Sequence, residues 1–449
     1  MTLGRRAVAG TLDQAADGPT AAAPEYVGEV QKGGMRAGAI VLVGVVLANA
    51  SAYLFQLLTA RKLGPVEYGD VATLSAVILL VGLPLGGVQA FVARHVARDT
   101  SRTGVEASGD LLRGFVSACF LAGSGLAIVL LVLAPFVKHS LSILNTWAIV
   151  FTALFAIPAF VVTPVLGTAQ GLQRFRLVAL GMAAPAIARV VMVAITLAAG
   201  FGAGAAMGVN LVSGVLAVLI PVYALPEIYY AKSLRTWRPR VTRGDLRQLA
   251  PVVAGLLAIT ALSTDDLIVA KAVFASTEAG VYGSGSLMGR AVLYFPAAIV
   301  VVLLPKVTHR SATRQDTSGI VGKSIVVTAG FCLGATVFYA VFGDPLVRIL
   351  FGSKYEAAAG LLWMFGLAMT GYAVLNVLLT YHIGLGANRM SWLLLGGAVA
   401  QIGLFTLFHD TPQTLLWVSI STAALLIVAH EFVVEPTLSR VLRRVIAGR

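Results

Sequence analysis

Charge is scarce in this chain: 12% of its 449 residues are charged and 58% are hydrophobic, whereas a soluble globular protein is about 25% charged. Cysteine is scarcer, because Cys119 and Cys332 are the only two. They allow no disulfide framework and no paired metal motif. Phosphate-binding loops, serine-nucleophile elbows and zinc-protease helices are also missing from the sequence. These absences exclude a soluble enzyme, so we expect no catalytic residue, metal or cofactor, and a mean hydropathy of +0.88 indicates a membrane protein.

Long apolar runs take the place of charge. Each is long enough to cross a hydrocarbon core about 30 Å thick as a helix. They predict twelve spans, at 37–60, 68–92, 112–137, 141–165, 177–198, 202–225, 249–270, 279–304, 320–343, 357–380, 390–408 and 412–434. The expected fold class is an all-α polytopic membrane protein with about twelve transmembrane helices.

Lysine and arginine are distributed unevenly over the connections between these spans. With a cytoplasmic N-terminus, the inner segments hold 25 of the 33, the outer loops hold 6, and Arg189 and Arg290 lie inside spans. This bias predicts a cell (inner or plasma) membrane protein with both termini in the cytoplasm. It explains the net charge of +13 without nucleic acid. The most basic loop, 232–247, is expected to contact anionic membrane lipid, or alternatively to hold an anionic substrate.

The chain repeats itself at an offset of about half its length. Shifted by 211 residues, "TARKLGPVEYGDVATLS" (59–75) aligns with "AKAVFASTEAGVYGSGS" (270–286), each joining the first span of a six-span set to the second. Shifted by 213, "GLQRFR" aligns with "GLGANR". Because six is even, both sets keep one orientation, which predicts two six-helix lobes related by a parallel pseudo-twofold repeat. The repeated joint is read as a structural hairpin, with direct substrate contact as the alternative.

The repeat and the charge pattern together suggest a domain organisation with a candidate hinge. The hinge is "VGLPLGGVQA" (81–90), since a proline inside a helix removes a hydrogen bond and bends the rod. The predicted parts are a disordered cytoplasmic tail at 1–34, an N-terminal six-helix lobe at 35–225, a basic cytoplasmic linker at 226–248, a C-terminal six-helix lobe at 249–436 and a basic cytoplasmic tail at 437–449.

Three stretches carry a resemblance to a known family. "LTARKLGPVEYGDVATLSAVILLVGLPLGGVQAFVAR", "TAQGLQRFRLVAL" and "ITALSTDDLIVAKAVFASTEAGVYGSGS" resemble the polysaccharide transporter, or O-antigen flippase, branch of the multidrug/oligosaccharidyl-lipid/polysaccharide exporter superfamily. The resemblance implies two six-helix lobes around a central cavity. It also implies movement of a polyprenyl-pyrophosphate-linked oligosaccharide from the inner to the outer leaflet, by alternating access. A lipid-linked glycan is then the expected substrate, and a polysaccharide polymerase and glycosyltransferases are candidate partners.

Four charges fall inside predicted spans, where an ionisable group costs at least about 2.5 kcal/mol. They are Arg189, Arg290, Asp265 and Asp266, and none has a charged counterpart in the other repeat. One hypothesis is a cationic cavity, in which the arginines bind pyrophosphate through their planar set of donors and an aspartate neutralises an arginine. The alternative is an ion pair between spans seven and eight that only holds helices together.

Five further residues are candidates for the substrate path. Lys271 and Arg61 lie at outer span ends and are predicted to pass the anion outward, or else to be ordinary interfacial cations. Asn49 and Gln56 share one face of span one, and Tyr294 shares a face of span eight with Arg290. Such polar stripes line a wet cavity or bond neighbouring helices.

Two other functions remain open at this point. A cation-coupled exporter of small molecules such as drugs would use the same fold, but we expect it to carry acids rather than arginines in its cavity. A non-transporting membrane subunit of a glycan synthase would need no cavity charge at all.

Overall fold

A computed structural model describes residues 23–103, 107–225, 243–294, 307 and 318–436. Thirteen α-helices form almost all of this part. They are α1 (Ala23–Gly82), α2 (Leu85–Thr103), α3 (Ala107–Ser140), α4 (Thr146–Gly171), α5 (Phe175–Ala198), α6 (Ala203–Tyr223), α7 (Arg243–Leu262), α8 (Asp265–Val273), α9 (Ser276–Tyr294), α10 (Ser318–Leu350), α11 (Leu362–Leu385), α12 (Arg389–Leu407) and α13 (Pro412–Ala429). A 3-10 segment (Ser353–Leu361) precedes α11, and a π-helical turn (His430–Val434) follows α13.

A helix satisfies its own backbone polar groups internally, as the hydrocarbon core of a membrane requires. Ten helical stretches among the described residues are long and apolar enough to span. The first, Gly38–Thr100, contains two of the predicted spans, and predicted span 279–304 continues past the described residues. The all-α, multi-pass class is therefore confirmed. The count of twelve, the pseudo-twofold repeat and the lobe boundaries stay predictions. Residues 23–34, predicted as part of a disordered tail, lie in α1. Residues 1–22, the C-terminal tail and most of the linker lie outside the described residues.

Helix α1 turns at Gly64, inside the first repeated joint. Gly64 has φ 74° and ψ 174°, a conformation that glycine adopts without the steric cost of a Cβ. The long helix is thus two spans joined by a glycine turn, as the sequence predicted. Just past the turn, the Glu67 carboxylate accepts a hydrogen bond from the backbone N–H of Ala203, 3.0 Å away. This N–H is the first of α6, where a negative charge is favourable, so Glu67 ties the joint to α6.

Two further breaks interrupt the predicted spans. A turn at Leu83 and Pro84 separates α1 from α2, inside the stretch predicted as a hinge. The run predicted as one span at 249–270 is divided at Ser263 and Thr264 into α7 and the short α8. Both hydroxyls donate back to carbonyls three or four residues earlier, a contact that competes with the helical backbone pattern. The broken helix places Asp265 and Asp266 at the start of α8 rather than within a continuous rod.

Packing places α1 at the centre of the molecule. Within the N-terminal set (α1–α6) it contacts α4, α5 and α6, and within the C-terminal set (α7–α13) it contacts α7, α8 and α9. The periphery is apolar: α3 exposes 71% of Val132 and 69% of Phe136, as a lipid-facing helix should. Polar and charged side chains are instead collected where α1, α8 and α9 meet.

Candidate functional site

Arg290 lies on α9 with 5% of its surface exposed. Its Nε donates to the Ser286 carbonyl oxygen at 3.3 Å and its Nη2 to the Ser286 hydroxyl at 3.2 Å. No carboxylate in the described part of the chain lies within ion-pair distance of it. A buried cation with no counterion is costly, and a guanidinium has five donors. Arg290 therefore has both charge and hydrogen-bonding capacity left for an anion.

Three tyrosines lie in the neighbourhood of Arg290. The phenols of Tyr53, Tyr68 and Tyr294 lie within electrostatic range of it. Tyr53 donates to the Leu287 carbonyl oxygen at 3.3 Å. The hydroxyls of Tyr68 and Tyr294 are buried and have no hydrogen-bond partner among the described residues. Buried polar groups normally have one, so these hydroxyls are available to a bound group.

The other two polar stripe residues are on α1. The side-chain oxygen of Gln56 is buried and has no hydrogen-bond partner in the described part of the chain, so it too can bind a further donor. Asn49 lies on an exposed surface of α1. The structure thus brings Tyr294 to Arg290, leaves Gln56 with unused hydrogen-bonding capacity, and places Asn49 at an exposed position.

Arg189, on α5, lies in different surroundings. Its Nη1 donates to Asn210 Oδ1 on α6 at 3.3 Å, and its guanidinium lies 5.3 Å from the centre of the Phe55 ring, a cation–π distance. Phe55 and Tyr53 are two residues apart, so they face nearly opposite sides of α1. In this conformation Arg189 and Arg290 therefore lie on different sides of α1. Their joint binding of one pyrophosphate stays a prediction.

Asp265 and Asp266 are 6% and 2% exposed and lie at the break between α7 and α8. Asp265 Oδ1 accepts hydrogen bonds from the Gln401 amide and the Asp266 backbone N–H, both at 2.8 Å. Asp266 Oδ2 accepts from the Tyr282 hydroxyl at 2.8 Å. The second oxygen of each carboxyl is buried, and no described residue hydrogen-bonds to it. Two adjacent carboxyls in this setting repel one another when both are charged, so a proton or a bound cation fits here.

The hydrogen bonds around these aspartates bear on both sequence hypotheses, because each hypothesis pairs an aspartate with an arginine, and both hypotheses stay predictions. The carboxyls bond to Gln401 and Tyr282, while Arg290 bonds to Ser286. Asp266 is in electrostatic range of Arg290, but the predicted ion pair between spans seven and eight is not formed among the described residues. Arg290 is therefore not already occupied by a carboxylate.

Lys271 and Arg61, predicted to pass the anion outward, both have protein partners here. Lys271 Nζ lies 2.7 Å from Asp70 Oδ1, and both side chains are fully buried. Arg61 is exposed and its Nε donates to the Leu350 carbonyl oxygen at the end of α10, 2.7 Å away. A second donor of Arg61 reaches the Ile349 carbonyl oxygen. Any transport role for either cation requires these contacts to open.

Sequence reasoning missed several of the polar partners. Asp70 lies in the first repeated joint, one residue past Gly69, and an isolated acid beside a predicted span end gave no clear signal. The Gln401 amide donates to Asp265, which is 136 residues away in the sequence. The Gln401 side-chain oxygen accepts from the Tyr372 hydroxyl at 2.7 Å. His382 and His430 form a buried pair with their Nε2 atoms 2.9 Å apart. Long-range pairs of this kind are not visible in a local pattern.

The described residues form a multi-pass helical bundle that buries Arg290 with no carboxylate among them within ion-pair distance, an arrangement typical of a functional site in a membrane protein. A family model described as polysaccharide biosynthesis protein matches residues 35–309. Since the match covers more than half of the sequence, the chain belongs to the polysaccharide biosynthesis protein family, and the resemblance seen in the sequence is confirmed. Comparison with curated protein sequences gives no match.

Solved structures share the fold of this chain. The lipid II flippase MurJ in an inward closed conformation superposes with a TM-score of 0.70 at 12% identity, over 88% of this chain and 87% of that one. An inward-facing multidrug resistance MATE family transporter of the MOP superfamily gives 0.68 at 15% identity, over 90% of this chain and 99% of that one. An outward-facing MATE family transporter gives 0.62 at 17% identity, over 93% and 96%. The matched proteins are transporters and a flippase rather than enzymes.

Proposed function

We propose that this protein is a flippase that moves a polyprenyl-pyrophosphate-linked oligosaccharide from the inner to the outer leaflet of the cell membrane. Its product would supply cell-surface polysaccharide export. The family supports the pathway, and the buried, unneutralised Arg290 supports an anionic headgroup. Arginine suits a phosphate because it presents two parallel donors. The lobes would rock about this site to give alternating access.

The chemistry around Arg290 fits both parts of such a headgroup. The guanidinium would bind the pyrophosphate. The unpaired hydroxyls of Tyr68 and Tyr294 and the unpaired oxygen of Gln56 would bind phosphate oxygens or sugar hydroxyls. The glycan needs a polar route of this kind, whereas the isoprenoid tail stays in the bilayer between helices. Lys271 and Arg61 would meet the anion only after their present contacts open, and Arg189 and Asn49 only after the helices around α1 rearrange.

The two aspartates favour an energy-coupled process. Asp265 and Asp266 have no cationic side chain within ion-pair distance in the described part of the chain, so a proton or a cation from solution would balance them. The same observation supports the second candidate, a cation-coupled exporter of small molecules. Arg290 favours the flippase, because a cationic drug would be repelled from an uncompensated guanidinium.

The test is a flipping assay with purified protein in liposomes that contain a labelled polyprenyl-pyrophosphate sugar. We expect Arg290→Ala to slow flipping about 10- to 100-fold, because a hydrogen bond to a charged group contributes about 1.5–3 kcal/mol. Arg290→Lys should retain part of the rate, since it keeps the charge but not the paired donors. Arg348→Ala is the matched control, because Arg348 is 71% exposed and pairs with Glu356.

Each outcome of this assay separates the candidates. Full activity in folded Arg290→Ala would show that this arginine does not bind the headgroup. A native chain that leaves the lipid-linked sugar in place but exports a cationic dye from the same liposomes is an exporter. A native chain that moves neither is better explained as a membrane subunit of a glycan synthase. A role for a polymerase or for glycosyltransferases as partners would be tested by co-purification from membranes.

A further inference from the structure

The two stretches that the sequence aligns with each other are in direct contact. A Cβ atom built on Gly69 would lie 3.3 Å from the Gly280 Cα, and one built on Gly280 would overlap the Pro65 carbonyl oxygen. The backbones therefore touch, and no side chain or water separates them at this point. We call this place, formed by Pro65, Gly69, Asp70, Lys271 and Gly280, the hairpin contact. It joins the N-terminal set of helices to the C-terminal set.

An ion pair lies within the hairpin contact. Asp70, from the second half of α1, and Lys271, from α8, are 2.7 Å apart with neither side chain exposed. The other Asp70 oxygen accepts a hydrogen bond from the Leu144 backbone N–H at 3.0 Å, which fixes the carboxylate within the N-terminal set. Lys271 is carried by a helix of only nine residues. This charge pair thus bridges the two sets where their backbones touch.

We propose that the Asp70–Lys271 pair is a latch that holds this end of the transport pathway shut. A buried carboxylate and a buried ammonium stabilise each other only while they are together, and each needs water once they separate. Opening must therefore hydrate both groups at once. The contact is then either closed and dry or open and hydrated, and no intermediate state is stable. On the topology predicted from the lysine and arginine count, this end faces outward.

The neighbouring contacts at this end are between uncharged groups and are weaker than the ion pair. The Tyr355 hydroxyl donates to the Ala60 carbonyl oxygen at 2.7 Å, and the Tyr68 and Tyr355 rings meet edge to face at 5.9 Å. Water can replace a neutral hydrogen bond at small net cost. These contacts add area to the seal, whereas the charge pair makes its opening cooperative.

Distances between spin labels on the full-length protein in lipid nanodiscs test the latch. Labels at Lys62→Cys and Lys354→Cys, both exposed positions near this end, report its width once Cys119 and Cys332 are replaced by serine. The variant Asp70→Asn/Lys271→Gln removes both charges together and leaves no lone buried charge. We expect it to raise the long-distance population at least about tenfold.

Two further variants interpret that result. Lys271→Arg keeps the charge pair and leaves Asp70 as the acceptor of the Leu144 N–H, so it should keep the short distance. Lys138→Gln removes a lysine whose ammonium donates an exposed hydrogen bond to Thr146 at 2.7 Å, and should leave the distance unchanged. The proposal is overturned if the neutral variant keeps the native distance, if folded Lys271→Arg populates the long distance as much as the neutral variant does, or if the neutral variant fails to fold, since the pair would then be a folding contact.

The latch depends on the transporter fold and not on the identity of the substrate. The distances are measured without any glycan, so the latch can fail while flipping is normal. Conversely, a chain that flips no lipid-linked sugar can still open when the two charges are removed.

Discussion

At the scale of single residues, the buried charges differ in what satisfies them. Asp70 and Lys271 neutralise each other, and Asp265 is held by Gln401. Among the described residues, Arg290 has hydrogen bonds to Ser286 and no carboxylate within ion-pair distance. A buried cation without a counterion is destabilising. An anionic ligand would therefore stabilise the protein most by binding at Arg290.

Gly280 gives a prediction at this scale. Its replacement by alanine would place a methyl group on the Pro65 carbonyl oxygen, and relieving such an overlap typically costs about 1–3 kcal/mol. We expect Gly280→Ala to lower the thermal unfolding midpoint in detergent and to loosen the hairpin contact. Gly330→Ala is the control, since a Cβ there meets nothing within 4 Å. Equal midpoints for the two variants would show that the backbones are not in contact.

At the scale of elements, the important feature is the helix broken between α7 and α8. The break frees the first backbone N–H groups of α8, beside which two carboxyls are favourable. It also lets α8 carry Asp265 and Asp266 at one end and Lys271 near the other. One nine-residue helix therefore joins the proposed coupling site to the hairpin contact.

Asp265→Asn tests the coupling role of this element. Asparagine can still accept from Gln401, so the fold should survive, but it can neither take up a proton nor neutralise a cation. We expect gradient-driven transport to fall to the rate measured without a gradient, while that basal rate and the unfolding midpoint stay near native. Transport is measured in liposomes with and without an imposed ion gradient.

Gln401→Leu is the structural comparison for that experiment. It leaves Asp265, Tyr372 and the Leu262 carbonyl oxygen without a shared partner, and each unsatisfied group costs about 1–3 kcal/mol. We expect lower stability here, in contrast to Asp265→Asn. A gradient response that survives in Asp265→Asn would remove this carboxyl from the coupling mechanism.

At the scale of the whole molecule, the two sets of helices are joined at both ends. The hairpin contact closes one end. At the other end, α2 packs on α7, and His95 Nε2 lies 3.6 Å from Asp245 Oδ2, with side chains 21% and 20% exposed. Alternating access requires these two seams to open in turn. The buried pair should be the stronger of the two, because solvent screens the partly exposed one.

His95→Gln tests the weaker seam. Spin labels at the exposed positions Arg94→Cys and Gln248→Cys should show a longer distance, with a population change of no more than about fivefold, since such pairs contribute about 0.2–1 kcal/mol. The distance between Lys62→Cys and Lys354→Cys should not lengthen. His409→Gln is the control. His95 and His409 each have Nδ1 beside the carbonyl oxygen of the residue four positions earlier, but His409 forms no ion pair between helix sets among the described residues. A change at both ends together would argue against separate seams.

Sequence reasoning found the helices and the unusual charges but not their partners. Gly64, the break at Pro84 and the buried positions of Arg290 and Asp266 follow from hydropathy and from glycine and proline chemistry, which act locally. The division of span 249–270 was missed, because an apolar run shows length but not the side-chain hydrogen bonds of Ser263 and Thr264. Gln401 and Asp70 were missed because their partners are 136 residues and about 200 residues away in the chain.

The sequence by itself determined that this protein is helical, that it crosses the membrane many times and that it resembles a flippase family, because the bilayer imposes length and polarity on each segment separately. Only the tertiary structure decided which charges meet. It set Lys271 against Asp70 and placed no counterion beside Arg290 in the part of the chain that is described, because electrostatic pairing depends on distances of a few ångströms between helices that are far apart in the chain.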